Sequence, residues 1–220
     1  MELSKYIDHT LLKATATVSE IETLCKEAIT HDFFSVCVNS GYVSYAKDFL
    51  KETDIKVCSV VGFPLGAMST RSKVYETEQA LADGADEIDM VINVGWLLSG
   101  KIDEVKQEIS LIKKACGDKV LKVILETCYL TDDQKRLACE LSVQAGADFV
   151  KTSTGFGSGG ATLADVQLMK DSVKGKAKIK ASGGVRDFQT AMEYINLGVQ
   201  RIGTSNGIAI VTGAQAQEGY

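Results

Sequence analysis

Short apolar or β-branched runs recur along the chain, and each is followed by a longer segment whose apolar residues fall three and four positions apart. The runs are "YIDHTLL", "FSVCVN", "KVCSVVGF", "EIDMVIN", "KVLKVILE", "FVKTST", "KIKAS" and "RIGTS". The segments between them include "SEIETLCKEAITHD", "STRSKVYETEQALADGA" and "TDDQKRLACELSVQAGA", and the last begins near Ser205. In "IDEVKQEISLIKKA" the stripe Ile102, Val105, Ile109 and Ile112 predicts a helix that covers a sheet from outside and leaves its Lys and Glu residues in water. "ADGAD" and "QAGAD" each close a helix with glycine and enter the next strand through a short loop.

Strict alternation with short connections implies parallel strands joined by right-handed crossovers. Eight units of about 27 residues fit a closed barrel better than an open doubly wound sheet. The expected fold is therefore an α/β, single-domain (β/α)8 TIM barrel over residues 1–220. It is leaner than the roughly 250 residues typical of that architecture and leaves no room for an inserted domain.

Composition narrows the function. With 45% apolar and 24% charged residues the chain can bury a large core. A net charge of −5 without a long Lys/Arg run argues against a nucleic-acid surface. No apolar run nears the roughly 18 to 20 residues that span a bilayer, and the N-terminus lacks an apolar leader, so a soluble cytoplasmic protein without membrane contact is expected. Six cysteines without a CxxC read as reduced thiols. Neither His9 nor His31 has a Cys or second His at ligand spacing, so neither a metal nor another cofactor is expected.

In a barrel of this kind the reactive groups sit where the strands run out. Three polar residues interrupt or end apolar runs there, Asp89 in "EIDMVIN", Lys151 in "DFVKTST" and Lys180 in "AKIKASGG". Side-chain alternation turns all three toward the interior. Glu87 shares the parity of Asp89 and competes for the acid/base role, but ranks below it because it lies earlier in the run. Lys151 and Lys180 fall on consecutive strands, and two ammonium groups so close repel; repulsion with desolvation predicts a lowered lysine pKa and a neutral amine able to attack a carbonyl. Asp89 would serve as acid/base. Parity alone leaves open which lysine is the nucleophile. Cys37, in "FSVCVN", has a parity that can turn it inward, where a buried thiol usually only packs.

Gly155, Gly157 and Gly160 satisfy GxGxxG, yet the acidic residue that a dinucleotide ribose needs about 20 positions on is replaced by Lys180. Two later glycine loops, "SGGVRD" and "GTSNG", fall after strands seven and eight, where barrels commonly hold phosphate. Gly183, Gly184, Gly203, Ser205 and Asn206 are the expected phosphate-side residues, with Thr154 and Gly155 from the earlier loop.

The stretches "VVGFPLGAMSTRSKVYETEQALADGADEIDMVINVG", "FVKTSTGFGSGGATLADV", "KASGGVRD" and "IDHTLL" together resemble deoxyribose-phosphate aldolases of the compact bacterial type over essentially the whole chain. The resemblance implies a metal-independent class I aldolase that reversibly cleaves 2-deoxy-D-ribose 5-phosphate to acetaldehyde and D-glyceraldehyde 3-phosphate, in the breakdown of deoxyribose phosphates. It makes Lys151 the Schiff-base residue, Lys180 the proton-relay and pKa-lowering partner, and Asp89 the other acid/base. Asp8, placed at the end of the first strand, becomes an auxiliary that orients the relay or else a cap. Tyr220 becomes a proton donor or lid. Where some members carry a phosphate-holding lysine after "KTSTG" this chain has Phe156, so phosphate binding should lean on backbone N–H groups and the two later loops. Small aldehyde and sugar-phosphate substrates and a homo-oligomer, dimer or tetramer, are the partners expected.

Overall fold

The computed structural model describes residues 2–214. Eight parallel strands pair in chain order and close on themselves: β1 Ile7–Leu11, β2 Ser35–Val38, β3 Lys56–Val61, β4 Glu87–Val91, β5 Val120–Ile124, β6 Phe149–Lys151, β7 Lys178–Ser182 and β8 Arg201–Thr204. The seam is β1 against β8, with Asp8 opposite Gly203. Outside it run α1 Val18–Thr30, α2 Val43–Phe49, α3 Thr70–Ala82, α4 Val94–Leu98, α5 Ile102–Cys116, α6 Asp132–Gln144, α7 Leu163–Val173, α8 Phe188–Asn196 and α9 Gly207–Thr212. The predicted units are all present; α4, a short helix in the loop after β4, is additional.

Local chemistry accounts for the helix ends. Thr17 and Glu20 form a reciprocal capping box at the start of α1, and Thr131 with Gln134 does the same for α6. In α5 the acidic Asp103 and Glu104 occupy the first turn and Lys113 and Lys114 the last, each complementing the helix dipole. The stripe of α5 is buried as predicted at Val105, Ile109 and Ile112. Glu108, expected in water, is not: it is fully buried and meets Lys73 of α3 at 2.7 Å. Lys73 also donates to the carbonyl of Val91, at the end of β4, at 2.7 Å. This pair ties two outer helices to the strand that carries Asp89.

The apolar core lies between barrel and helices, built from outward strand residues such as Ile88, Met90, Val123, Val150 and Ile202. The inside differs from the Val/Ile/Leu layers that usually fill such barrels. Its inward positions bring buried Asp8, Glu87, Asp89, Lys122, Lys180 and Arg201 together, with Lys151 above them. Charges in so dry a place persist only when paired and hydrogen-bonded.

Candidate active site

Asp89 is the centre of this cluster. Its Oδ2 accepts from Lys151 Nζ and Lys180 Nζ, each at 2.7 Å. Its Oδ1 accepts from Lys122 Nζ at 2.7 Å and from the Cys58 thiol at 3.1 Å. Burial alone would raise the Asp89 carboxyl; the three ammonium groups outweigh it and hold Asp89 well below the usual carboxylate range. Asp89 is thus an anion throughout the neutral range.

Lys151 and Lys180 are direct register partners on β6 and β7, as their sequence order requires. Of the three predicted residues only Lys151 ends its strand; Asp89 and Lys180 are each the third of five. Strand tilt and stagger in a closed barrel bring them to one level. The expectation that neighbouring cations would lower a lysine pKa fails for Lys180. Burial does push it down, but Asp8 and Asp89, at 2.5 and 2.7 Å, lift it above its ordinary value. Lys180 is a firmly held ammonium.

Asp8 lies second in β1, near the start of the strand rather than its end, and it caps no helix. It is fully buried, pairs with Lys180 and with Arg201 Nη1, both at 2.5 Å, and accepts from Ser35 Oγ at 2.6 Å. Arg201 reaches Glu87 at 2.8 Å, and its guanidinium carbon stands over Phe34, 3.4 Å from the ring centre. Glu87 also meets Lys122 at 2.7 Å. Glu87 therefore belongs to a lower layer of alternating charge that supports Asp89 from beneath.

Among the described residues, four cations (Lys122, Lys151, Lys180, Arg201) and three carboxylates (Asp8, Glu87, Asp89) pair with one another in the interior. Fully ionised, they leave one positive charge in excess. Removing one proton from one amine makes the cluster neutral.

Lys151 is the member of the cluster that lines the pocket at the C-terminal mouth of the barrel. The expected phosphate-side residues Gly183, Gly184, Ser205 and Asn206 line the same pocket, as do Thr154 and Gly155. Gly183 and Gly184 both have positive φ, +83° and +80°, a conformation that L side chains rarely adopt. Gly203 also borders the pocket, but its absent side chain has a second effect: a Cβ there would stand 3.0 Å from Lys180 Cε. The Thr154 hydroxyl donates to Glu126 and accepts the N–H of Phe156 at 3.0 Å, so it organises the loop. Glu126, buried and in a left-handed conformation at φ 54°, also accepts the N–H of Thr154 at 3.1 Å.

Phe156 stands apart from this lining. It packs edge-on against Phe63, with ring centres 5.3 Å apart, in a neighbouring hollow with Leu65 and Tyr129. Tyr220 lies outside the described residues. Sequence reasoning missed Lys122, Arg201 and Arg186. Arg186 borders the pocket from the "SGGVRD" loop and adds a cation beside the glycines.

A family model described as DeoC/LacD family aldolase matches residues 3–211. The chain belongs to the DeoC/LacD aldolases. Among curated members, the chain is 56% identical to the deoxyribose-phosphate aldolase of Brevibacillus brevis, over 98% of this chain and 97% of that protein. It is 58% identical to that of Finegoldia magna, over 97% of this chain and the whole of the relative. Among solved structures it resembles "QR15, an Aldolase" with a TM-score of 0.93 and 44% identity, covering 96% and 95% of the two chains. The tetrameric deoxyribose phosphate aldolase of Aeropyrum pernix superposes with a TM-score of 0.88 at 33% identity, over 95% of this aldolase and 89% of the other.

Proposed function

We propose that this aldolase cleaves 2-deoxy-D-ribose 5-phosphate reversibly to acetaldehyde and D-glyceraldehyde 3-phosphate through a Schiff base on Lys151. The observation that carries the assignment of the nucleophile is position: Lys151 is the amine of the charged cluster that borders the pocket, while Lys180 and Lys122 are fully buried beneath it. To attack a carbonyl Lys151 gives up one proton, which brings the seven-group cluster to neutrality.

Neutral Lys151 attacks C1 of the open-chain sugar phosphate, and loss of water leaves an iminium that draws electrons from C2. As the C2 to C3 bond breaks, the C3 hydroxyl loses its proton toward the Asp89 and Lys180 relay. Glyceraldehyde 3-phosphate departs, the enamine is protonated at carbon, and hydrolysis releases acetaldehyde. Asp89, ionised in the resting site, steadies the iminium, takes up the C3 hydroxyl proton and returns it to C2 of the enamine, while Lys180, held by Asp8, fixes the orientation of Asp89. The phosphate end fits the backbone N–H groups of the Gly183–Gly184 turn and the Ser205 side of the next loop, whose Asn206 N–H donates to Thr204 Oγ1 at 2.9 Å, with Arg186 beside them.

Sodium borohydride with acetaldehyde tests this reading: a trapped ethyl adduct mapped to a Lys151 peptide is expected. A barrel isomerase that uses Lys151 only as an electrostatic clamp, or a sugar-phosphate-binding protein without turnover, would give no adduct.

A homo-oligomer, dimer or tetramer, is supported by the tetrameric relative and is tested by light scattering on the eluting protein. A cytoplasmic location accords with six free cysteines, and among the described residues no helix is long and apolar enough to cross a membrane.

A further inference from the structure

Cys37 and Cys58 are paired across β2 and β3, directly opposite one another in the register. Both thiols turn inward and both are fully buried. The two sulfurs and a carboxylate oxygen of Asp89 all lie within 4.8 Å of one another. Leu12 packs on the same small cluster and borders the pocket, so the thiols sit one layer beneath the mouth. This is a dithiol assembled by strand register, and the reaction proposed above leaves it without a task.

The dimensions suit a two-coordinate metal ion. Twice a metal to thiolate bond of about 2.3 Å spans about 4.6 Å, inside the 4.8 Å within which the two sulfurs lie. Asp89 is not available as a third ligand, because both its oxygens already accept from ammonium groups. Two thiolates without a third donor select a soft cation of low coordination number over zinc, which takes four ligands.

The Lys122 ammonium, 3.3 Å from Cys58 Sγ, is placed to stabilise the anionic complex that two thiolates form with one monovalent cation.

We propose that Cys37 and Cys58 form a two-sulfur binding site for a soft monovalent cation of the cuprous type, one layer beneath the pocket. Occupation removes the Cys58 S–H donor from Asp89 Oδ1 and sets an anionic complex beside Lys122, so it also inhibits turnover. The exchange is balanced: one cation enters, two protons leave, and no electron is transferred.

The test is anaerobic titration of the full-length enzyme with Cu(I) against a colorimetric cuprous chelator, followed by X-ray absorption at the copper edge. One tightly held copper per chain with two sulfur neighbours is expected. Cys37→Ser and Cys58→Ser should each weaken capture by at least the roughly 100-fold that loss of a mere supporting contact can cost a metal site. Cys128→Ser, which removes the half-buried thiol outside the barrel, should leave capture unchanged. Circular dichroism on each variant shows that it is folded. Capture that survives in both barrel variants, loss of capture in Cys128→Ser, or a copper with one or three sulfur neighbours overturns the proposal.

Discussion

Lys151 and Lys180 place their ammonium nitrogens on one oxygen atom, Asp89 Oδ2, each at 2.7 Å. Two cations that would otherwise repel are held side by side by a shared anion, and that anion is anchored from below by Lys122. Asp89→Asn removes the charge that all three amines answer to. Turnover should fall by about 10² to 10⁴, the range for loss of an acid/base group. Breaking a buried ion pair costs about 3 to 5 kcal/mol, so denaturant unfolding should show a loss of that order.

The two lysines separate by what they leave behind. Lys151→Met should abolish both turnover and the borohydride adduct. Lys180→Met should lower kcat at least 100-fold, as expected for a relay group, while slow trapping by acetaldehyde still maps to Lys151. An adduct on Lys180 in either variant would reverse the assignment.

The pH dependence of stability follows from the directions of the shifts. Asp89 and Asp8 are depressed in the folded protein, so their contribution is complete above the ordinary carboxylate pKa of about 4 and is lost only as pH falls through the folded values. Lys180 and Lys122 are raised, so theirs is complete below the ordinary lysine pKa of about 10.4 and is lost only as pH rises through the folded values. The cluster's contribution should be flat between those limits. Melting temperatures of wild type and Asp89→Asn, compared from pH 5 to 9, should keep a constant separation.

Lys73 and Glu108 offer a contrast, because burial pushes Lys73 down and Glu108 up despite their contact. Each single change, Lys73→Met or Glu108→Leu, should cost about 3 to 5 kcal/mol by stranding its partner. The double variant should recover most of that loss in urea unfolding, since an apolar pair of similar volume serves as well in a buried place.

Arg186→Ala should raise KM for deoxyribose 5-phosphate roughly tenfold, about the value of one hydrogen bond to a charged group at a partly exposed site. KM for unphosphorylated 2-deoxyribose should not move. Equal effects on both substrates would place Arg186 elsewhere in the mechanism.

Much of this site is readable from alternation alone. Asp89, Lys151 and Lys180 stand out because each is a charged residue of inward parity near the end of an apolar run, and two of them fall on consecutive strands. Lys122 has the same signature in "KVLKVILE", but lies a layer deeper and close to Lys119, where a lysine reads as an exposed strand end. Arg201 opens its run and reads as a loop residue. Its partners Asp8 and Glu87 are 193 and 114 positions away, and barrel closure alone brings them within reach. Glu108 sits on a helix face that periodicity marks as polar, and its burial depends on the neighbouring helix carrying Lys73. The true direction of the Lys180 shift was hidden for a related reason: it is set by Asp8, whose contact with Lys180 needs the β1 to β8 seam.

That seam bears on how the protein is made. Asp8 leaves the ribosome 193 residues ahead of Arg201, and until β8 emerges its carboxylate lacks both that guanidinium and the last wall of the barrel. A nascent chain stalled before β8 would have to bury an incompletely paired charge in order to close, at a cost of several kcal/mol. Closure is thereby deferred until β8 has been made, and chains terminated before β8 stay open to proteolysis.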